Sequence, residues 1–126
     1  MSDLRQQAMS ARDCAHAPYS NFHVGVAVKT TEGDVFLGAN MENASYPEGW
    51  CAETSALAHM QMARPGARLA EVYVLGQGED VLTPCGGCRQ RLSEFGGADT
   101  QITCANLKGD EQVFTLGQLL PSAFDL

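Results

Sequence analysis

Apolar positions change their period several times along this chain, and each change marks an element. Leu4, Ala8, Ala11 and Ala15 recur at helical spacing, so residues 3 to 15 read as an amphipathic helix that Pro18 ends. Phe22, Val24, Val26 and Val28 then alternate strictly, with small residues at Gly25 and Ala27. After a turn at Thr31-Glu32-Gly33-Asp34 comes Val35-Phe36-Leu37-Gly38, which predicts two antiparallel strands joined by a short turn. The face carrying Gly25 and Ala27 leaves room for a helix to pack closely.

Asn40 to Trp50 interrupts the periodicity with Asn, Glu, Tyr and Pro, the composition of a connecting loop. From Cys51, the spacing of Ala56, Leu57, Met60 and Met62 predicts a helix that stops before Pro65-Gly66. Leu69 to Leu75 reads as a strand. Thr83-Pro84 opens a helix over Cys85 to Phe95, and Gly96-Gly97 stops it. Thr100 to Ala105 alternates as a further strand, Gln112 to Thr115 as a short one, and Thr115 is placed to cap a brief helix running to Leu120. Strands interleaved with helices in this order predict an α/β fold, a three-layer α/β/α sandwich around a mixed five-stranded sheet.

With 126 residues and 44% apolar composition, residues 1–126 are expected to form one domain with a core of its own. So short a chain has little surface for a closed pocket, which makes a site at a subunit boundary the expectation. The formal net charge of −7, with eight scattered Lys and Arg, argues against nucleic acid as a partner and favours a nucleoside without phosphates. No run of roughly eighteen apolar residues is present and the first residues carry no apolar signal core, so the expected setting is the cytoplasm, away from membranes. Five cysteines, two of them only three positions apart, suit thiols kept reduced for a metal better than a disulfide framework.

The candidate chemistry lies in Cys51-Ala52-Glu53 and Pro84-Cys85-Gly86-Gly87-Cys88. Three thiolates at about 2.3 Å can hold Zn²⁺ at three corners of a tetrahedron, and an open fourth corner is the mark of a catalytic site. Water there would be acidified towards a pKa of about 7, and Glu53 is placed to move its proton. Both cysteine segments fall at helix N-termini, whose dipoles favour thiolates. A closed structural site needs a fourth protein ligand; Cys14, Cys104, His16, His23 and His59 lack the paired spacing such ligands show, and a closed site leaves Glu53 without a role. Cys14 and Cys104 read as buried small residues, and the histidines as surface or hydrogen-bonded ones.

These segments match the zinc deaminase signature in its three-cysteine form, with Cys51 where a histidine often stands. Together with Ala17-Pro18-Tyr19-Ser20-Asn21-Phe22, Gly38-Ala39-Asn40-Met41-Glu42-Asn43-Ala44-Ser45-Tyr46-Pro47 and Leu119-Leu120-Pro121-Ser122-Ala123-Phe124, the chain resembles the small homotetrameric cytidine deaminases over nearly its whole length. The resemblance implies one Zn²⁺ per chain on Cys51, Cys85 and Cys88. It also implies Glu53 as the catalytic proton carrier, and contacts to a nucleoside from Phe22, Asn40, Glu42, Ala52 and Thr83, with Phe124 reaching a neighbouring subunit's site. Asn40 can donate and accept while Glu42 only accepts, a pairing suited to ribose hydroxyls.

The implied reaction is hydrolytic deamination of cytidine, and of 2′-deoxycytidine, to the uridine form and ammonia, as in pyrimidine salvage. The alternatives are a sibling deaminase of another aminopyrimidine, such as a blasticidin-type or modified cytidine, and more distantly a non-catalytic zinc-binding module. Three positions depart from the family pattern. Thr54 stands where an arginine commonly offsets thiolate charge, Trp50 is bulkier than the usual small residue, and His23 replaces a frequent proline. Arg89, next to Cys88, is then the expected donor to a thiolate sulfur.

Overall fold

The structure, a computed structural model, describes residues 3–126. In chain order it contains α1 (Leu4–Arg12), β1 (Gly25–Thr30), β2 (Val35–Ala39), α2 (Ala52–Ala63), β3 (Leu69–Leu75), α3 (Gly86–Phe95), β4 (Gln101–Ala105), β5 (Glu111–Thr115) and α4 (Leu116–Leu119). The strands form one mixed sheet in the order β2-β1-β3-β4-β5. β3 and β4 run parallel while the other neighbours are antiparallel. A parallel pair needs a crossover, and α3 supplies it.

Alternation along β1 divides the molecule into layers. Val26 and Val28 pack with Ala56, Leu57 and Met60 of α2 and Leu92 of α3 on one face. Ala27 turns to the other face and packs with Leu4 and Ala8 of α1. The result is the α/β/α sandwich anticipated from the pattern. Removing each such fully buried Val or Leu side chain from water contributes about 1.5–3 kcal/mol. No helix among the described residues is long and apolar enough to cross a membrane.

Two glycines set the helix-to-sheet spacing. A Cβ at Gly25 would lie 2.0 Å from the carbonyl oxygen of Ala8 in α1. One at Gly38 would lie 2.3 Å from both the Ala52 oxygen and the Ala56 nitrogen of α2. The second approach seats the start of α2, with Cys51 and Glu53, directly on the sheet. Gly38→Ala must therefore push α2 outward, and overpacking of this kind costs typically about 1–3 kcal/mol. A chemical denaturation curve should show the midpoint falling, and an unchanged midpoint would contradict this packing account.

Several local expectations are met. Thr115 forms a full capping box, its hydroxyl accepting from the Gln118 amide at 3.2 Å and its own amide donating to Gln118 Oε1 at 2.8 Å. Cys104 is buried in the core. Cys14 is not, and that expectation is corrected. α1 ends at Arg12 rather than running on to Ala15, so Cys14 sits in the following turn, exposed, with its sulfur 4.0 Å from the Ser10 carbonyl oxygen. β1 also begins later than the alternation suggests. Before Gly25 a side chain replaces ladder bonds: Asn40 Oδ1 accepts from the Val24 amide at 2.9 Å and Asn40 Nδ2 donates to the Phe22 carbonyl at 2.8 Å.

Candidate active site

Cys51 is the residue that caps the start of α2, and Cys85 does the same for α3. Cys88 lies in the first turn of α3. Because both helices pack on one sheet face with their N-termini converging, the three sulfurs come within 4.8 Å of one another. Cys51 Sγ and Cys85 Sγ are 3.9 Å apart. A tetrahedron with 2.3 Å bonds spaces its sulfurs roughly 3.8 Å apart, so the Cys51–Cys85 pair already stands at zinc spacing and the third sulfur lies close to it. Among the described residues this is the one grouping of three or more such donors, and neither a histidine nor Cys104 belongs to it. Three protein donors and no fourth is the open-cornered arrangement.

The thiols interact strongly. Cys51 is pulled below its ordinary pKa, first of all by a hydrogen bond from Cys88, while Cys88 is pushed up by that bond and by burial. Both directions describe one negative charge shared between neighbours, and a divalent cation is what allows all the thiols to ionise together.

Glu53 occupies the first turn of α2 and is only 5% exposed. Burial raises its pKa; the opposing influences, in order, are its own backbone amide, Cys88 and the charge of Arg91. A carboxyl raised in this way holds a proton closer to neutral pH, as a general base and acid must.

Glu53, Cys51 and Cys85 line one end of an open cleft of about 580 Å³. Asn40, Glu42, Ala52 and Thr83 line it as well, so the structure brings these residues together around one space. Trp50 lines the same cleft and is about half exposed. Its backbone pairs with Met41 through bonds of 2.8 and 2.9 Å, which closes the Asn40 to Trp50 loop into a wall. Glu42 is the most firmly held of the group. Its Oε1 accepts from the amides of Tyr19 at 2.9 Å and Ser20 at 3.1 Å, and the Ser20 hydroxyl donates to Oε2. These bonds, led by that from the Ser20 side chain, keep its pKa below the usual carboxylate value.

Two expected contacts stand elsewhere. Phe22 is half-buried against the hydrophobic core rather than on the cleft wall. Phe124 is 70% exposed, with its carbonyl oxygen accepting from Gln90 Nε2 at 3.2 Å, so it does not enter the cleft of its own chain.

Arg89 requires a correction. Its guanidinium donates to the Pro84 carbonyl at 2.7 Å, the Leu119 carbonyl at 2.7 Å and Thr83 Oγ1 at 3.1 Å, and none of these is a sulfur. Arg89 thus ties the loop before α3 to α4. Cys88 Sγ instead faces Thr54 Oγ1 at 3.9 Å and Arg91 Nη1 at 4.0 Å. Sequence reasoning also passed over Ser20 and Tyr19 as partners of Glu42. The short run Tyr19-Ser20-Asn21 after Pro18 was the available signal, since successive free amides in a turn suit a carboxylate.

Comparison with known proteins agrees with this geometry. A family model described as cytidine and deoxycytidylate deaminase zinc-binding region matches residues 1–105. The chain is 42% identical over 122 residues to a protein named cytidine deaminase from Halalkalibacterium halodurans, spanning 96% of this chain and 91% of that one. It is also 42% identical over 125 residues to a cytidine deaminase of Mycobacterium tuberculosis, with 98% and 88% of the two chains covered. The crystal structure of cytidine deaminase from Burkholderia pseudomallei superposes with a TM-score of 0.92 at 44% identity, covering 98% of this chain and 100% of that one.

Proposed function

Because the chain belongs to the cytidine and deoxycytidylate deaminase family, we propose that it hydrolyses the 4-amino group of cytidine, and of 2′-deoxycytidine, releasing ammonia. The observation that carries this reading is the buried Glu53 beside three convergent thiols at the end of an open cleft. Cys51, Cys85 and Cys88 would hold Zn²⁺, which when bound supplies Lewis acidity and brings the pKa of water down to about 7.

The chain's own residues account for the proton movements. Glu53 removes a proton from the attacking water and delivers it to N3 of the pyrimidine as oxygen adds to C4. It then takes the remaining proton from the new C4 hydroxyl and passes it to the amino group, so that the C4–N bond breaks, ammonia leaves, and a carbonyl remains at C4. Burial of Glu53 serves the first half, since a raised pKa makes its carboxylate a stronger base for the water's proton.

Glu42 serves the sugar. Its carboxylate is pre-oriented by Tyr19 and Ser20, and it accepts from ribose hydroxyls, with Asn40 beside it. The net charge of −7 favours a neutral nucleoside over a phosphorylated one. Phe124, exposed on its own chain, completes the cleft of a neighbouring subunit in a homotetramer working in the cytoplasm.

Glu42→Gln should raise KM for cytidine about 10- to 100-fold, the cost of losing a hydrogen bond to a charged group, with kcat much less affected. Steady-state kinetics check this, and a fall in kcat at constant KM would remove Glu42 from sugar binding. The reading as a whole is tested by mixing the protein, at one zinc per chain, with cytidine and separately with cytosine, and following the ultraviolet change on deamination. Consumption of cytidine with little of cytosine supports it. Equal use of both points to a sibling deaminase indifferent to the sugar, and no turnover of either overturns the assignment.

A further inference from the structure

A dication held by three thiolates is left with one net negative charge, and one of the three sulfurs that share it is buried. Cys85 is exposed and Cys51 half-buried, but Cys88 is 0% exposed, so its sulfur has the least help from water. This inference rests on the zinc reading above and concerns what offsets that charge.

Arg91 lies one helical turn after Cys88 on α3, where positions three apart share a face. Its Nη1 is 4.0 Å from Cys88 Sγ, within reach of an N–H···S contact. A second observation shows that a seat exists for it. A Cβ at Gly87 would stand 3.1 Å from Arg91 Nη1 and 3.7 Å from Cζ, so the bare backbone of that glycine makes room for the guanidinium over the first turn of α3. The guanidinium makes no ion pair along its own helix. Glu94 stands one turn further along the helix, yet the ion pairs among the described residues are Arg64 with Asp34 and Lys108 with Glu79.

We propose that Arg91 is a positioning residue whose guanidinium, folded over Gly87, offsets the thiolate charge at Cys88 and so secures the metal in the three-cysteine site. Arg89, the sequence neighbour of Cys88, is engaged with Pro84, Leu119 and Thr83 and is not available for this. Thr54 approaches the same sulfur from α2 at 3.9 Å, with only a neutral hydroxyl to offer. A longer cationic side chain at position 54 would therefore reach the sulfur from the opposite helix.

The test is competition for zinc between the intact protein and a chromogenic chelator, with circular dichroism and native mass recorded for each variant. Replacing a partner of a metal ligand typically costs 10- to 100-fold in metal affinity, so Arg91→Gln and Arg91→Ala should each lose zinc about 10- to 100-fold more readily than the parent. Arg91→Lys should retain most of the parent's grip. Adding Thr54→Arg to Arg91→Ala should restore it, which a purely packing role for Arg91 would not produce. If Arg91→Gln holds zinc as the parent does, or if Thr54→Arg gives no recovery in a folded double variant, the proposal is overturned. The readout is zinc rather than turnover. A protein that holds zinc through Arg91 yet leaves cytidine untouched would refute the deaminase reading and leave this one standing.

Discussion

Glu53→Gln, loaded with one zinc per chain, should convert cytidine about 10² to 10⁴ times more slowly than the parent, the usual worth of one positioned proton carrier. The substitution keeps the shape of the side chain and leaves Cys51, Cys85 and Cys88 untouched, so zinc content should not change. Glu53 is nearly inaccessible to solvent, and its burial raises the carboxyl's pKa. A neutral amide in the same place therefore relieves a desolvated group, and the variant should be at least as stable as the parent near neutral pH. The sign follows from linkage. A carboxyl whose folded-state pKa is raised above 4.5 weakens the fold as pH rises through the interval between the unfolded and folded values. The advantage of the amide should accordingly vanish in acid, below the unfolded value. Turnover near the parental rate, measured by the ultraviolet change on deamination, would remove Glu53 from the chemistry.

Cys88→Ala should abolish both bound zinc and turnover, while Cys104→Ala should spare both. The comparison is well controlled, because both sulfurs are completely buried and each change removes the same atom. Only Cys88 belongs to the donor cluster; Cys104 is a core residue of β4, with a thiol that burial pushes up to about 11. Each substitution should cost on the order of 1 kcal/mol through the small void it leaves. Metal linkage then separates them. Added zinc should raise the thermal midpoint of the parent and of Cys104→Ala, since a ligand that binds only the folded state stabilises it. It should leave Cys88→Ala where it was. Metal analysis after gel filtration gives the stoichiometry directly.

Local pattern sufficed for most of the fold. Leu69–Leu75 was legible as a strand because its apolar run is bounded by turn residues, and the Thr115 cap because its side chain acts within one turn. The small face of β1 correctly announced a close helix, and Gly25 is where α1 touches it. The errors have a common physical origin in contacts between residues distant in sequence, or in helix geometry overlooked. α1 stops before Cys14 although no breaker precedes Pro18. Gly38 looks like an ordinary strand residue until α2 is laid across it. Arg89 was the natural suspect for a sulfur contact because it adjoins Cys88. Adjacent residues on a helix point about 100° apart, however, whereas Arg91 at the third position beyond returns to the same face. The anchoring of Glu42 by Tyr19 and Ser20 joins two loops that no periodicity links.

X-ray absorption at the zinc edge of the intact protein tests the open-cornered site most directly. Three sulfur neighbours and one lighter neighbour contributed by solvent, unchanged in Glu53→Gln, is the predicted result. Four protein ligands, whether a fourth sulfur or a histidine nitrogen, would contradict it and make the zinc structural.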